Sequence, residues 1–363
     1  MKAAVMRAAK MPLTIEDVDL DRPGPGEVVV RVAAAGLCHS DLHYIEGWYQ
    51  IQTPVVLGHE SAGVVEEVGD GVEYVSPGDH VITYITISCG ECAYCLEGNS
   101  HNCLNRDAAG QRSSEDPPRL SLHGEPVTQF LSLSSFSERL LVSERAVVKI
   151  TEDIPLDKAA LLGCGAATGL GAVSNTAAVK EGQTVAVIGC GGVGLAAVQG
   201  ARIAGASKVI AIDVVDEKLD LAKTLGATHV INGRDNDPVF RALAMTDGLG
   251  VHHAFEALGS KGTIETAFGM LRWGGVATVI GLVPEDTVLD IPGDQLYYEK
   301  TLQGSNMGSS DFRRDIPRYI DWYLDGRLML DEMVTARLSL DEINRGFDFM
   351  RNGLSARSIV VFD

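Results

Sequence analysis

Four cysteines stand within fifteen residues in the stretch CGECAYCLEGNSHNC (89–103), spaced Cys89-x2-Cys92-x2-Cys95-x7-Cys103. Two residues between thiolates let consecutive ligands wrap one ion, with Zn–S bonds of roughly 2.3 Å. Four sulfurs close a tetrahedron and leave substrate no position, so this spacing predicts a structural metal, zinc first. Gly90 and Gly98 allow the tight turns such a lobe needs. A redox pair would want one C-x-x-C beside a βαβ unit instead of interleaved thiols. An iron–sulfur cluster, whose cysteine spacings can look similar, is the competing reading.

Three cysteines remain: Cys38, Cys164 and Cys190. Cys38 opens CHSDLH (38–43), and GHE follows at 58–60. A Cys, a His and a distant second Cys make the three-ligand set of an open zinc site, whose fourth place takes water or substrate. Asp41 has the chemistry to accept the second N–H of a ligating His, which fixes the ring.

The third candidate binds an anion. In TVAVIGCGGVGLAAVQGARIAGASKVIAIDV (184–214), Gly189, Gly191 and Gly194 form G-x-G-x-x-G after an apolar strand and before a small-residue helix. Asp213 ends the next strand, twenty-four residues after Gly189. That context is the dinucleotide fingerprint: the glycines let the backbone approach a pyrophosphate at the helix N-terminus. Asp213 would accept the ribose hydroxyls and repel a 2′-phosphate, which favours NAD over NADP. Cys190 is a spacer residue of the motif and takes no ligand role.

Two kinds of element must position these groups. From 165 to 305, apolar runs such as KVIAID, THVIN, HHAFEAL and VATVIGL alternate with helical patterns, which predicts a doubly wound parallel sheet. Upstream, EVVVRVAAAG, SAGVVEEVG, DHVITYI and SFSERLLV are short β-rich runs between Gly/Pro/Asp turns such as DRPGPGE. They predict an antiparallel β domain over 1–164, to which 306–363 returns with two helical patterns and the strand RSIVVFD. Residues 104–135 read as a long loop, the kind that is often functional.

Composition narrows the classes further. The 363 residues suit two cores, and the net charge of −19, from 30 Lys+Arg against 49 Asp+Glu, repels nucleic acid and anionic membrane. The N-terminal stretch lacks the apolar run of a signal peptide. Two uncharged stretches, 159–179 and 182–201, are separated by only Lys180 and Glu181, which leaves no room for two membrane spans. The expectation is a cytoplasmic protein with reduced thiols.

Together GLCHSDLH, VLGHESAGVV, the four-Cys lobe, LLGCGAATGLGAV, VAVIGCGGVG and AIDV, in this order, resemble the zinc-dependent alcohol dehydrogenases of the medium-chain dehydrogenase/reductase superfamily. The resemblance runs nearly end to end. It implies an α/β fold: a doubly wound Rossmann sheet for NAD over 165–305, plus a β-rich GroES-like catalytic domain. Cys38, His59 and Cys164 match the catalytic zinc ligands, and Cys89, Cys92, Cys95 and Cys103 the structural zinc, so two zinc ions per chain are implied. Ser40 matches the hydroxyl that bonds the substrate oxygen, and His43 the end of a proton relay through the cofactor ribose. Asp41 and Glu60 match carboxylates behind the metal. Cofactor contacts fall on His39, Gly189, Gly191, Gly192, Val193, Gly194, Asp213, Lys218 and Arg357.

The implied reaction is reversible hydride transfer from a zinc-bound alkoxide to NAD, giving an aldehyde or ketone. Trp48, Tyr49, Ile85 and Leu282 fall where the family lines its pocket, which implies an apolar alcohol. A homodimer follows from the same resemblance. Three other readings stay open. One is a dehydrogenase of a thiol–formaldehyde adduct such as S-hydroxymethyl-glutathione or -mycothiol, to which CHSDLHYIEG and VSNTAAV are similar. Another is a branch that holds its cofactor permanently. The last is a non-catalytic nicotinamide-binding protein, which would need no catalytic metal.

Overall fold

The computed structural model describes residues 1–110, 112 and 115–362. The chain divides into two compact units. Unit 1 is Met1–Cys164, Asp311–Asp325 and Val334–Asp363; unit 2 is Gly165–Ser310 and Gly326–Met333.

Unit 1 is built on a twisted sheet whose longest strand, Glu27–Gly36, is buried along nearly its whole length. Its valines are β-branched and suit a pleated surface covered on both faces. In spatial order the strands are Val147–Lys149, His80–Thr83, Ser61–Val68, Glu27–Gly36, Arg357–Val361 and Val334–Leu338, with Arg139–Ser143 also pairing Glu27–Gly36. All these pairs are antiparallel except the last, Val334–Leu338 with Arg357–Val361. A second sheet joins Thr128–Gln129, Val55–Val56, Lys2–Met6 and Thr14–Asp17. Only Leu37 and Cys38 separate the end of Glu27–Gly36 from the helix α1 (His39–Ile45), so this sheet sets the start of the CHSDLH segment. The core beneath includes Leu37, Leu42, Leu57, Phe130, Phe136 and Phe347.

The stretch 104–135 differs from the expected long loop. It contains a helix at Arg106–Gly110 and strands at Leu120–Leu122, Glu125–Pro126 and Thr128–Gln129. Gln111, Ser113 and Ser114 of that expectation lie outside the described residues. Its anchor is ionic. Glu27, 4% exposed, accepts from Arg112 Nε at 2.9 Å and from Arg119 Nε at 2.7 Å, and Arg112 Nη1 also reaches Asp21 at 2.6 Å. Charge-assisted bonds among buried groups are the strong ones, and here they tie the segment to the first residue of the long strand.

Unit 2 is a parallel sheet in the order His229–Asn232, Lys208–Asp213, Thr184–Ile188, Val251–Glu256, Leu271–Val279 and Thr301–Gly304. The order reverses beside Thr184–Ile188, which makes the carboxyl end of that strand the switch point where such sheets bind ligands. The helix α2 (Gly192–Ile203) follows it directly. Its small residues let a second buried helix, Gly165–Gly171, approach closely: a Cβ on Gly169 would stand 2.2 Å from Val193 O.

The expected return of 306–363 to the first part is interrupted in two places. Residues 306–310 and 326–333 belong to unit 2. The Gln199 side chain explains the second exception, donating to Met329 O (3.1 Å) and accepting from Met329 N–H (2.8 Å). The uncharged stretches 159–179 and 182–201 form short helices, one strand and α2, and among the described residues no helix is long and apolar enough to cross a membrane.

Candidate active site

Within unit 1, Cys38, His59 and Cys164 meet. Their ligand atoms all lie within 4.8 Å of one another and all three residues are buried. Cys38 is the N-cap of α1, and Asp41 in the first helical turn accepts its backbone N–H at 3.2 Å. The other Asp41 oxygen accepts from Gly58 N–H (3.0 Å) and lies 3.1 Å from His59 Nδ1. An acceptor at that distance holds the proton on Nδ1 and leaves Nε2 as the donor atom for a metal, which is how carboxylates orient ligating histidines.

The electrostatics fit a cation. Cys38 is held well below the usual thiol range, first by a hydrogen bond from Cys164 and, against its burial, by the His59 charge. Cys164 is pushed up by the same bond and by burial. Burial alone would lower His59, yet the Asp41 and Cys38 charges hold it well above the ordinary imidazole range. Two buried thiols and an imidazole nitrogen turned towards one point form a donor set suited to zinc with a place left open.

Behind this group sits a buried ion pair. Glu60 is 0% exposed and bonds Arg357, which is 6% exposed. A Cβ on Gly36 would stand 2.3 Å from Glu60 Oε1 and 2.8 Å from Arg357 Nη2, so only glycine admits the pair there. Arg357 was expected at the cofactor pyrophosphate. Here its Nη2 bonds Glu60, since a buried carboxylate needs a cationic partner.

The four-Cys lobe closes as its spacing predicts. Sulfur separations are 3.5 Å for Cys92–Cys95 and Cys89–Cys103, 3.9 Å for Cys92–Cys103 and 4.0 Å for Cys89–Cys95. A tetrahedron with Zn–S of about 2.3 Å has edges of about 3.8 Å, so the lobe fits zinc and its sulfurs are too far apart for disulfides. Backbone N–H groups of Cys89 and Cys92 donate to Cys103 Sγ (3.3 Å) and Cys89 Sγ (3.4 Å). Arg145 grips the entrance, its Nη1 donating to Ser88 O (3.0 Å) and Cys89 O (2.9 Å).

In unit 2 the glycine motif forms a tight strand–helix turn. Gly189 has φ +92°, and a Cβ on Gly194 would lie 1.7 Å from Gly189 O. Gly191 caps α2, whose first turn holds Gly192, Val193 and Gly194. Asp213 Oδ2 accepts from Cys190 N–H at 2.7 Å, and Oδ1 accepts from Val214 N–H (2.7 Å) and Val215 N–H (3.1 Å). The carboxylate is thus pinned against the glycine turn.

Residues 24–152 match the alcohol dehydrogenase GroES-like domain and residues 192–325 the zinc-binding dehydrogenase domain. "Alcohol dehydrogenase 1" of Trifolium repens is 40% identical over 99% of the chain and 96% of its own length. The chain belongs to the zinc-binding alcohol dehydrogenases. As an oxidoreductase of that family it works with zinc and a nicotinamide cofactor on a small molecule. The "S-(hydroxymethyl)glutathione dehydrogenase" of Paracoccus denitrificans is 38% identical over 99% of both chains. The solved benzyl alcohol dehydrogenase of Acinetobacter calcoaceticus superposes with a TM-score of 0.93 at 34% identity, covering 100% of this chain and 99% of that one.

The remaining positions of the dehydrogenase sort by unit. On α1, His39 is exposed and Ser40 Oγ lies 3.7 Å from Cys38 Sγ. His43 is half-buried, and burial lowers its basicity. Of the expected pocket residues, Tyr49 and Ile85 are half-buried, whereas Trp48 is 64% exposed and stacks on His43. Leu282 belongs to unit 2, as does the half-buried Lys218 on the helix Asp216–Thr224. Sequence reasoning missed Glu256. It is 0% exposed, and it accepts from Leu258 N–H (2.9 Å), Gly259 N–H (2.8 Å) and Thr263 Oγ1 (2.7 Å). Nothing in HHAFEAL separates that carboxylate from a solvated one, because its partners appear only once the turn has formed.

Proposed function

We propose that this dehydrogenase reversibly oxidises an alcohol to an aldehyde or ketone with NAD, using Cys38, His59 and Cys164 for a catalytic zinc and the four-Cys lobe for a structural one. The observation that carries this reading is the convergence of those three buried ligands at the start of α1, the helix that also carries Ser40 and His43. Zinc held by these residues would supply the Lewis acidity that makes a substrate hydroxyl more acidic, and a nicotinamide bound at the glycine turn would supply the hydride acceptor.

The chain's own groups handle the proton. Ser40, beside Cys38, accepts a hydrogen bond from the substrate hydroxyl and passes a proton on. His43 lies three residues further along α1, on the same face. Burial lowers its basicity, so at neutral pH it is a neutral imidazole able to take the proton and release it to water. Asp41 keeps His59 in the tautomer that presents Nε2, and Glu60 with Arg357 supports the wall behind the ligands. Asp213 supports NAD over NADP, since a fixed carboxylate at the strand end suits ribose hydroxyls and repels a 2′-phosphate.

His43→Gln tests the relay. It should keep both zinc ions, slow oxidation at neutral pH and recover part of the rate at high pH, where hydroxide takes the proton. Loss of a general base costs about 10²- to 10⁴-fold, and a half-buried relay that water can replace should cost less. Cys38→Ser should instead lose one zinc and nearly all activity at every pH. An unchanged neutral-pH rate in His43→Gln refutes the relay, and loss of zinc from it redraws the ligand set. A thiol–formaldehyde adduct is the second reading for the substrate, favoured by the likeness to the Paracoccus enzyme. A panel of primary, secondary, aromatic and thiol-adduct alcohols separates the two.

A further inference from the structure

The C-terminal end of α1 closes in a way that bears on His43. Glu46 is the C-cap and Gly47 follows with φ +75°. Gly47 N–H donates to Tyr44 O at 3.0 Å, and Trp48 N–H donates to His43 O at 2.9 Å. This pair of bonds is the glycine-terminated helix end that turns the residue after the glycine back over the helix, where it contacts the residue three positions before the cap. Those two residues are Trp48 and His43. Their rings stack with centroids 4.5 Å apart and planes at 14°, and Tyr49 adds a tilted contact at 6.1 Å.

Core packing does not account for the stack, because Trp48 is 64% exposed. Hydrogen bonding does not fix the ring at its buried nitrogen either: His43 Nδ1 has no partner among the described residues. The contacts that set the plane of the imidazole are aromatic. An indole face also attracts a cation, so the stack holds the ring after it takes a proton as well as before.

We propose that Trp48 is a positioning residue for proton transfer, holding the His43 ring in register with Ser40 through the turn that ends α1, and is not a wall of the alcohol pocket. The inference rests on the relay reading above. In that relay the proton leaves the substrate hydroxyl, passes through the Ser40 hydroxyl and arrives on a His43 nitrogen, from which water removes it. Trp48 exchanges no proton and acts only on the geometry of the last acceptor.

The test uses the zinc-loaded protein. Trp48→Leu keeps an apolar side chain at an exposed site and removes the aromatic face, while Trp48→Phe keeps a face. Trp48→Leu should lower kcat for alcohol oxidation at pH 7 by about 5- to 10-fold, a fraction of the loss expected for a missing general base. The alcohol KM and the zinc content should stay unchanged, the deficit should close as pH rises, and Trp48→Phe should restore most of the rate. A second readout needs no turnover. The chain has three tryptophans, so Trp273→Phe with Trp322→Phe leaves Trp48 as the sole indole. Its emission should be quenched as His43 protonates, and His43→Gln should abolish that pH step. A raised alcohol KM with an unchanged pH profile in Trp48→Leu overturns the proposal in favour of a pocket role. An emission without a step that His43→Gln removes overturns it by excluding the stack. If His43→Gln leaves the neutral-pH rate intact while the emission step is present, the relay itself has failed and takes the proposal with it.

Discussion

Acidification should loosen unit 2 through one histidine. His253 lies on Val251–Glu256 with 6% exposure. Its Nε2 stands 3.0 Å from Gln183 Oε1, an oxygen that also accepts from Lys180 N–H at 2.8 Å. Nε2 therefore carries the proton, and Nδ1 is buried with no partner among the described residues. A second proton would bring a charge into that site with no acceptor. Burial first, then the neighbouring His252, push the group down from 6.5 to about 4. His252 is itself lowered by burial and by Arg272, whose Nη1 lies 2.9 Å from its Nε2. The unfolded chain thus binds a proton that the folded chain refuses. The stability this group contributes is complete above about pH 6.5 and is lost as pH falls towards 4. Between pH 7 and pH 5 the loss comes to about 2 kcal/mol. Urea unfolding of the zinc-loaded wild type and of His253→Gln at both pH values isolates it, since metal release and other titrations are common to the two proteins. The wild type should lose about 2 kcal/mol more than the variant over that interval. An equal loss in both proteins would refute the reasoning.

Two further outcomes follow from the sites. Cys92→Ser should remove one zinc equivalent and lower yield or stability, because a structural metal contributes folding free energy directly; a stable variant that keeps two zinc ions by elemental analysis contradicts the lobe assignment. Asp213→Gly should raise kcat/KM with NADP relative to NAD by relieving repulsion of the 2′-phosphate, and a wild type that already prefers NADP tenfold, about 1.4 kcal/mol, disproves the cofactor argument.

The parts of this protein that were legible in its sequence are those whose partners lie close along the chain. The glycine turn, its strand and helix, and Asp213 fall within one βαβ unit, where hydrophobic period and glycine spacing are local signals. The four-Cys lobe closes over fifteen residues for the same reason. The pairings that escaped are long-range. Arg357 meets Glu60 across 297 positions, and Arg112 meets Glu27 across 85. Neither residue type announces its partner, since Glu and Arg are solvated in most sequences and bury only when a fold supplies the counter-charge. The stacking of Trp48 on His43 is a further contact that residue types alone do not announce. Nothing in the stretch between the two residues marks it, and it arises only when the left-handed Gly47 folds one ring over the other. The interruption at 326–333 depends on a glutamine in α2 that finds its backbone partners 130 positions away.

The strand Arg357–Val361 is an interior member of its sheet, flanked by Glu27–Gly36 and Val334–Leu338. Everything needed for the sheet of unit 2, from Gly165 to Ser310, precedes it in the chain. During synthesis on the ribosome, unit 2 can therefore fold while unit 1 still shows an open edge along Ala34–Gly36. An unpaired edge is a template for the wrong partner. The nascent chain carries this exposure for the whole time that unit 2 takes to be translated, at about 5–20 residues per second. The order of the chain thus makes unit 1, which begins first, the one whose sheet is completed last.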